Sequence, residues 1–104
     1  MEKTTNRIKA LSDPGRLRVL SLIERREELK VNIIENILVF PQSTVSRHLS
    51  FLKNSSWLQS RREGKNIFYR LADDDKSGWY WVLQVVLKEI RESAPFRNDL
   101  SKLG

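Results

Sequence analysis

Two short helical patterns separated by Phe40-Pro41 constrain the fold of this chain more than any other feature. Apolar residues recur at helical spacing before the break and again after it. A proline biases the residue before it away from the α region, so the first helix is expected to end just before this pair. Two helices joined by such a short break are typical of a helix-turn-helix. The predicted helices cover residues 31–39, with apolar Val31, Ile34 and Leu38, and residues 41–54, with apolar Val45, Leu49 and Leu52.

The apolar pattern changes to alternation after the second of these helices. In the segment 67–71, Ile67, Tyr69 and Leu71 alternate with two other residues, which is typical of a half-exposed strand. The preceding Glu63-Gly64-Lys65-Asn66 has the residue types that tight hairpin turns favour. The sequence therefore predicts a basic β-hairpin, or wing, directly after the helix-turn-helix.

Two helices are predicted ahead of the helix-turn-helix. Ile8 and Leu11, set among charged residues, indicate a short amphipathic helix over residues 4–11. Asp13 is expected to cap a second helix from Pro14 to about Arg26, because aspartate accepts hydrogen bonds from free N–H groups at a helix start and proline is tolerated there.

One long apolar helix is predicted after the wing. It is expected to begin near Asp73-Asp74-Asp75, because carboxylates favour the positive end of a helix dipole, and to end before Pro95. Residues 1–93 then form one domain that binds its target and dimerises, and residues 94–104 form a loosely held C-terminal tail.

The apolar stripe of this last helix is wider than one face of a small monomer usually hides, since Trp81 and Val85 extend it. A chain of 104 residues buries only a thin core, so a second copy is the expected source of further burial. We therefore predict a homodimer. Its predicted interface residues, on the first and last helices, are Ile8, Leu11, Trp79, Val82, Leu83, Val86, Leu87 and Ile90.

The composition argues against several functional classes. The chain has no cysteine and one histidine, His48, so disulfides, thiolate metal sites and thiol redox sensing are excluded. No carboxylate belongs to a recognisable acid–base constellation, so neither an enzyme nor a cofactor is predicted. No apolar run is long enough to span a bilayer, and the N-terminus has no signal-peptide core, so we expect a cytoplasmic protein.

The positive charge of the chain is concentrated in one region. Of the net charge of +6, a net of +5 lies in residues 41–71, which hold six cations and one carboxylate. Clustered cations indicate a polyanionic partner, because neutralised phosphates release counterions. A solvated basic face is the alternative interpretation of the charge alone.

The second helix of the helix-turn-helix has the side chains that major-groove binding requires. Short and medium-length hydrogen-bonding residues in its first turns suit base edges and phosphates, and cations on the wing could reach the minor groove. The predicted residues binding double-stranded DNA are Gln42, Ser43, Thr44, Ser46, Arg47 and His48 on the helix and Arg61, Arg62 and Lys65 on the wing. Ser43 and Thr44 could instead cap the helix, and His48 could be a packing residue.

Several stretches also match a known sequence pattern: residues 9–20 (KALSDPGRLRVL), residues 42–49 (QSTVSRHL) and, in the hairpin, residues 60–65 (SRREGK) and 68–71 (FYRL). Together they resemble the ArsR/SmtB family of winged-helix repressors. The resemblance implies a mainly α winged helix-turn-helix with a small β-hairpin, about five helices and two strands. It further implies a homodimeric repressor that binds a palindromic operator, and most such repressors release DNA when an inducer binds.

Four positions depart from the family pattern. Lys30 and Asn32 stand where metal-sensing relatives carry two cysteines, and an ammonium group cannot ligate a soft metal. The last helix also lacks the histidines of a second family metal site, so no metal site is predicted. Val39 occupies a position usually held by glycine, and Pro41 replaces a capping serine. We expect the turn to be locally rearranged, and Val39 to be strained if its φ is positive.

Two alternatives remain open from the sequence. The chain could be a winged-helix module that binds an acidic protein, although the exposed side of its recognition helix lacks an apolar anchor. Trp79, Tyr80 and Trp81 could line a pocket for a small-molecule inducer, or they could simply pack a dimer interface. The identity of any inducer is not predicted.

Overall fold

The computed structural model describes all 104 residues and contains six α-helices, one 3₁₀ turn and three strands. In chain order these are α1 (Glu2–Lys9), the 3₁₀ turn (Ala10–Ser12), α2 (Pro14–Arg25), β1 (Leu29–Lys30), α3 (Val31–Leu38), α4 (Gln42–Asn54), β2 (Leu58–Glu63), β3 (Asn66–Leu71), α5 (Gly78–Ile90) and α6 (Ala94–Leu103). None of these helices combines the length and apolar content that crossing a membrane requires.

The predicted cap fixes the start of α2. The Asp13 carboxylate accepts a hydrogen bond from the backbone N–H of Arg16 at 2.9 Å, and Pro14 occupies the first turn. The buried side of α2 lies at the centre of the apolar core, where the 3₁₀ turn, α3, α4, β3 and α6 all pack against this helix. Its fully buried apolar residues are Val19, Leu20, Leu22 and Ile23.

The helix-turn-helix is formed by α3 and α4. The predicted stripe of α4, Val45, Leu49 and Leu52, is buried in the core. Val39 ends α3 with a left-handed backbone at φ +56°, which a β-branched residue adopts only with strain. Pro41 precedes α4 and provides no side-chain cap. The two unusual turn residues are therefore accommodated without loss of the motif.

The wing is formed by β2 and β3, which pair antiparallel from Leu58 opposite Leu71 to Glu63 opposite Asn66. Gly64 adopts a φ of +62° in the connecting turn, where glycine carries no steric penalty. The expectation of two strands was one too few, because the two-residue strand β1 pairs with the other edge of β3. This pairing places the start of α3 beside the wing, and the winged helix-turn-helix class is confirmed.

None of the residues of α1 is buried, so this helix has no apolar side packed in the core. Arg7 makes the contacts that attach it to the rest of the protein. The guanidinium carbon of Arg7 lies 4.8 Å and 4.7 Å from the ring centroids of Trp57 and Trp79, and its Nη2 forms an ion pair with Asp73. The indole N–H of Trp57 donates to the Arg7 carbonyl oxygen at 2.7 Å. Arg7 thus connects α1 to the base of the wing and the start of α5.

The expected start of the last long helix was wrong. α5 begins at Gly78 rather than near Asp73-Asp74-Asp75, and the Ser77 hydroxyl oxygen caps it by accepting from the N–H of Trp79 at 3.1 Å. Asp73 instead pairs with Arg7. A serine N-cap was therefore the local signal for the helix start, and the acidic run belongs to the preceding turn.

The expected loose tail is a helix. Residues 94–103 form α6, which packs against α2 and α3 and buries Phe96 and Asp99. Pro95 lies in the first turn of α6, where its missing N–H costs no hydrogen bond, so the residue that stops one helix also starts the next. The total is six α-helices rather than about five.

α5 has a buried side and an exposed apolar side. Leu83 and Leu87, predicted in a dimer interface, are instead buried within the monomer core, so that part of the prediction was wrong. Trp81 and Val85 are 58% and 64% exposed. The exposed apolar residues of the first and last predicted helices are Ile8, Trp81, Val82 and Val85. The half-buried ones are Leu11, Trp79, Val86 and Ile90.

Candidate nucleic-acid interface

The first turns of α4 present a polar surface to solvent. Gln42, Ser43, Ser46 and Arg47 are exposed, as predicted, while Thr44 is half-buried. Arg47 belongs to none of the ion pairs of the fold, so its guanidinium is free to bind an external acceptor. A free guanidinium can form paired hydrogen bonds with a guanine edge or a phosphate.

His48 is not on this exposed face. Its side chain is only 12% exposed, and its Nε2 lies 3.8 Å from the Asp13 carboxylate at the start of α2. A Cβ atom on Gly15 would approach that nitrogen to 2.6 Å, so a larger residue at this position would force the His48 side chain to shift. His48 also meets Phe40 edge-on, with ring centroids 6.1 Å apart. These contacts favour the packing alternative for His48 over a contact with a base.

The environment of His48 also affects its protonation. Burial lowers the pKa of His48 below its usual 6.5, opposed by the nearby Asp13 carboxylate and assisted by the positive charges of Arg16 and Arg47. The imidazole is therefore held in its neutral form at neutral pH. A neutral ring suits packing between α2 and α4.

The three predicted wing cations are not equivalent. Arg61 donates to both carboxylate oxygens of Glu28 at 2.8 Å and 2.6 Å and to Glu63 at 2.7 Å. Its guanidinium carbon also lies 4.3 Å from the ring centroid of Phe68. Arg62 and Lys65 are exposed and belong to none of the ion pairs. Of the three predicted wing cations, two are therefore free.

One further cation lies near the wing tip and was not among the predicted binding residues. Lys30 and Lys65 both line an open cleft of about 250 Å³ between the start of α3 and the hairpin turn, with Asn32, Glu35 and Asn66. The pairing of β1 with β3 brings Lys30 to this position. No local sequence feature indicated this position, because it depends on the pairing of β1 with a distant strand.

The positions at which a relative would bind metal have no ligand set. Lys30 is half-buried, Asn32 is exposed, and no group of three or more histidine, aspartate or glutamate side chains is arranged to hold a metal ion.

The candidate nucleic-acid interface consists of the free polar and cationic residues of α4 and the wing. We call it the α4–wing surface: Gln42, Ser43, Ser46, Arg47, Arg62 and Lys65.

Comparison with known proteins agrees with this arrangement. Residues 13–55 match the model of a family described as bacterial regulatory protein, arsR family. An uncharacterized HTH-type transcriptional regulator of Methanocaldococcus jannaschii is 38% identical over 73 residues, covering 70% of this chain and 82% of that protein. The arsenic resistance transcriptional regulator ArsR2 of Pseudomonas putida is 38% identical over 80 residues, covering 77% of this chain and 70% of that protein.

A solved structure extends the similarity to three dimensions. The homodimeric winged helix-turn-helix DNA-binding domain of a possible ArsR-family regulator from Mycobacterium bovis superposes with a TM-score of 0.72 at 30% identity. The match covers 86% of this chain and 82% of that one. With its helix-turn-helix, wing and free polar surface, this chain belongs to the ArsR family and is a DNA-binding transcriptional regulator.

Proposed function

We propose that this protein is a homodimeric repressor that binds a palindromic operator through the α4–wing surface and responds to neither metals nor thiol oxidation. The observation that carries the proposal is the free guanidinium of Arg47 among exposed hydrogen-bonding residues on the first turns of α4. Base edges in the major groove need such donors and acceptors, and the cations of the wing suit flanking phosphates or the minor groove. An operator-binding protein acts in the cytoplasm, where such DNA is found.

The exposed apolar side of α5 supports a dimer. Trp81, Val82 and Val85, with Ile8 of α1, expose apolar surface that a second copy would remove from water. A two-fold dimer addresses two half-sites about 34–36 Å apart, so the preferred DNA is palindromic. The proposed interface omits the buried Leu83 and Leu87 and adds Trp81 and Val85 to the predicted set. Its residues are then Ile8, Leu11, Trp79, Trp81, Val82, Val85, Val86 and Ile90.

The residues at the start of α3 support the absence of metal sensing. Lys30 and Asn32 have an ammonium and an amide where a soft metal would need thiolates. The chain has no cysteine that could be oxidised. We therefore expect any inducer to act through other chemistry.

The decisive experiment is the recovery and sequencing of genomic DNA fragments that the purified protein retains. We expect a palindromic motif, and an affinity for it that falls steeply with salt because phosphate contacts release counterions. A protein with no sequence preference, or with an affinity that does not change with salt, would contradict the proposal. Failure to retain any DNA would favour the acidic-protein alternative, which no contact in the structure supports directly.

A further inference from the structure

α6 contributes the one charged side chain that the fold buries. Asp99 is 1% exposed, and the only other buried polar residues are serines. Arg18 of α2 binds it in a two-pronged pair: Nε donates to Oδ2 and Nη2 to Oδ1, each at 2.8 Å. A carboxylate is buried at acceptable cost only when its oxygens are satisfied, and a paired contact of this kind fixes the guanidinium plane. Asp99 therefore determines where the Arg18 head group lies.

The same guanidinium touches the turn of the helix-turn-helix. Its central carbon lies 5.0 Å from the ring centroid of Phe40, the residue between Val39 and Pro41. Phe40 in turn meets the His48 ring of α4 edge-on. The contacts Asp99, Arg18, Phe40 and His48 thus form an unbroken series from α6 to the recognition helix.

Local sequence does little to hold this turn. Val39 is left-handed with φ +56°, although a β-branched residue disfavours that conformation, and α4 has no side-chain cap at Pro41. A strained backbone conformation persists only where contacts with the surrounding structure hold it in place. Phe40 is half-buried, packs against the apolar core and lies between Arg18 and His48, so tertiary contacts take the place of the missing local determinants.

We infer that the Asp99–Arg18 pair is a positioning element for DNA recognition, which sets the start of α4 by holding Phe40. The inference rests on the proposed function of the α4–wing surface. Neither residue needs to touch DNA. Loss of the pair leaves the phosphate-binding cations in place but lets the base-reading turn of α4 move, so it should lower specificity more than general affinity for DNA.

The chain offers a matched control for a test of this inference. Asp99→Asn and Glu24→Gln each convert one carboxylate to an amide, so both change the net charge equally. Glu24 forms a comparable ion pair between α2 and the C-terminal end of α5, with its Oε1 2.7 Å from Arg91 Nη2. The series of contacts from Asp99 to His48 does not include it.

We expect Asp99→Asn to lower the ratio of operator to non-operator affinity by roughly tenfold, while Glu24→Gln leaves the ratio unchanged. The salt dependence of non-operator binding should be the same for both variants. Amide hydrogen exchange at residues 39–44 should become faster only in the Asp99→Asn variant. All measurements are made at a temperature at which circular dichroism shows each variant to be folded. If Asp99→Asn does not fold, Arg18→Lys takes its place, because a lysine cannot form the paired contact.

A double-mutant cycle links the pair to the turn. Phe40→Leu alone should lower the affinity ratio, and adding Asp99→Asn to it should cause little further loss if both act through the same contact. Equal effects of Asp99→Asn and Glu24→Gln on the ratio and on exchange would overturn the inference, as would fully additive losses in the cycle. If the wild-type protein prefers no DNA sequence, the proposed function fails, and hydrogen exchange at residues 39–44 still decides the inference.

Discussion

The guanidinium of Arg61 is paired with the carboxylate of Glu28 through two hydrogen bonds, at 2.8 Å and 2.6 Å. The pair joins the stem of the wing to the segment just before β1, and together with Glu63 it raises the pKa of Arg61 further above its ordinary value. A cation bound to two carboxylates contributes less to binding a polyanion than a free one. Arg61 thus stabilises the position of the wing, whereas Arg62 and Lys65 are free to bind phosphates.

The wing cations should therefore differ in their salt dependence. Lys65→Gln is expected to reduce the slope of log affinity against log salt concentration by about 1, because one phosphate contact is lost. Arg61→Gln is expected to change the slope by much less. Gel-shift titrations over a salt series test this, with the wild-type protein beside them. Equal slope changes for the two variants would show that Arg61 leaves Glu28 when DNA binds.

Arg47 should contribute to sequence recognition. Arg47→Ala is expected to weaken operator binding by about 1–3 kcal/mol and to relax the preference at one base pair, because a paired contact to a guanine edge is lost. Lys102→Ala, on α6, is the control for the loss of one positive charge. Binding to a panel of operators with single base changes is the measurement. A uniform loss across the panel would assign Arg47 to a phosphate instead.

The half-buried His48 should make stability depend on pH. The pKa of His48 is lowered in the folded protein, chiefly by burial, so the unfolded chain takes up a proton at a higher pH than the folded one. The stabilising contribution is complete above about pH 6.5 and is lost as the pH falls from there through the lower folded pKa. Urea unfolding at several pH values should show a smaller loss between pH 7.5 and 5.5 for His48→Gln than for the wild type. Parallel curves for the two proteins would contradict the assignment.

The exposed side of α5 should hold the dimer together. Val85→Glu is expected to give a monomer, because it places an unpaired carboxylate in an apolar contact. Operator affinity should then fall by roughly 100-fold or more, since the two half-sites are no longer engaged together. Val85→Ala is the milder control and should weaken the dimer without abolishing it. Sedimentation velocity reports the association state; a Val85→Glu variant that remains dimeric would place the interface elsewhere.

The strain at Val39 should be removable. Val39→Gly is expected to stabilise the fold by about 1 kcal/mol, because glycine adopts a positive φ without a steric penalty. The valine side chain is 74% exposed, so little buried apolar surface is lost. Urea unfolding measures the effect, and Val39→Ala, which keeps a Cβ atom, should recover only part of it. A destabilised Val39→Gly variant would show that the side chain has a packing role.

The elements predicted correctly from the sequence are those with strong local signals. The Asp13 cap marks the start of α2, and Val45, Leu49 and Leu52 mark the buried side of α4. The turn at Gly64 marks the wing in the same way. Each of these features depends on residues within one or two turns of each other, so no knowledge of the tertiary fold is needed to recognise them.

The elements that were missed depend on distant contacts. β1 is two residues long and exists only because β3 lies beside it. α6 was mistaken for a tail because Pro95 was interpreted as a stop, while the burial of its Asp99 depends on Arg18, 81 residues away. Within the candidate site, the pairing of Arg61 depends on Glu28, 33 residues away. A helical or strand pattern shows which side chains share a face but not which distant partner covers them.

The attachment of α1 has a consequence for the order of folding. An isolated helix of eight residues is not stable in water, and α1 buries none of its own side chains. Its anchors are Trp57 and Asp73, which lie 50 and 66 residues from Arg7 in the sequence. We therefore expect α1 to dock only after the base of the wing has formed. Because Ile8 belongs to the proposed interface, we expect docking of α1 to be coupled to association of the two subunits.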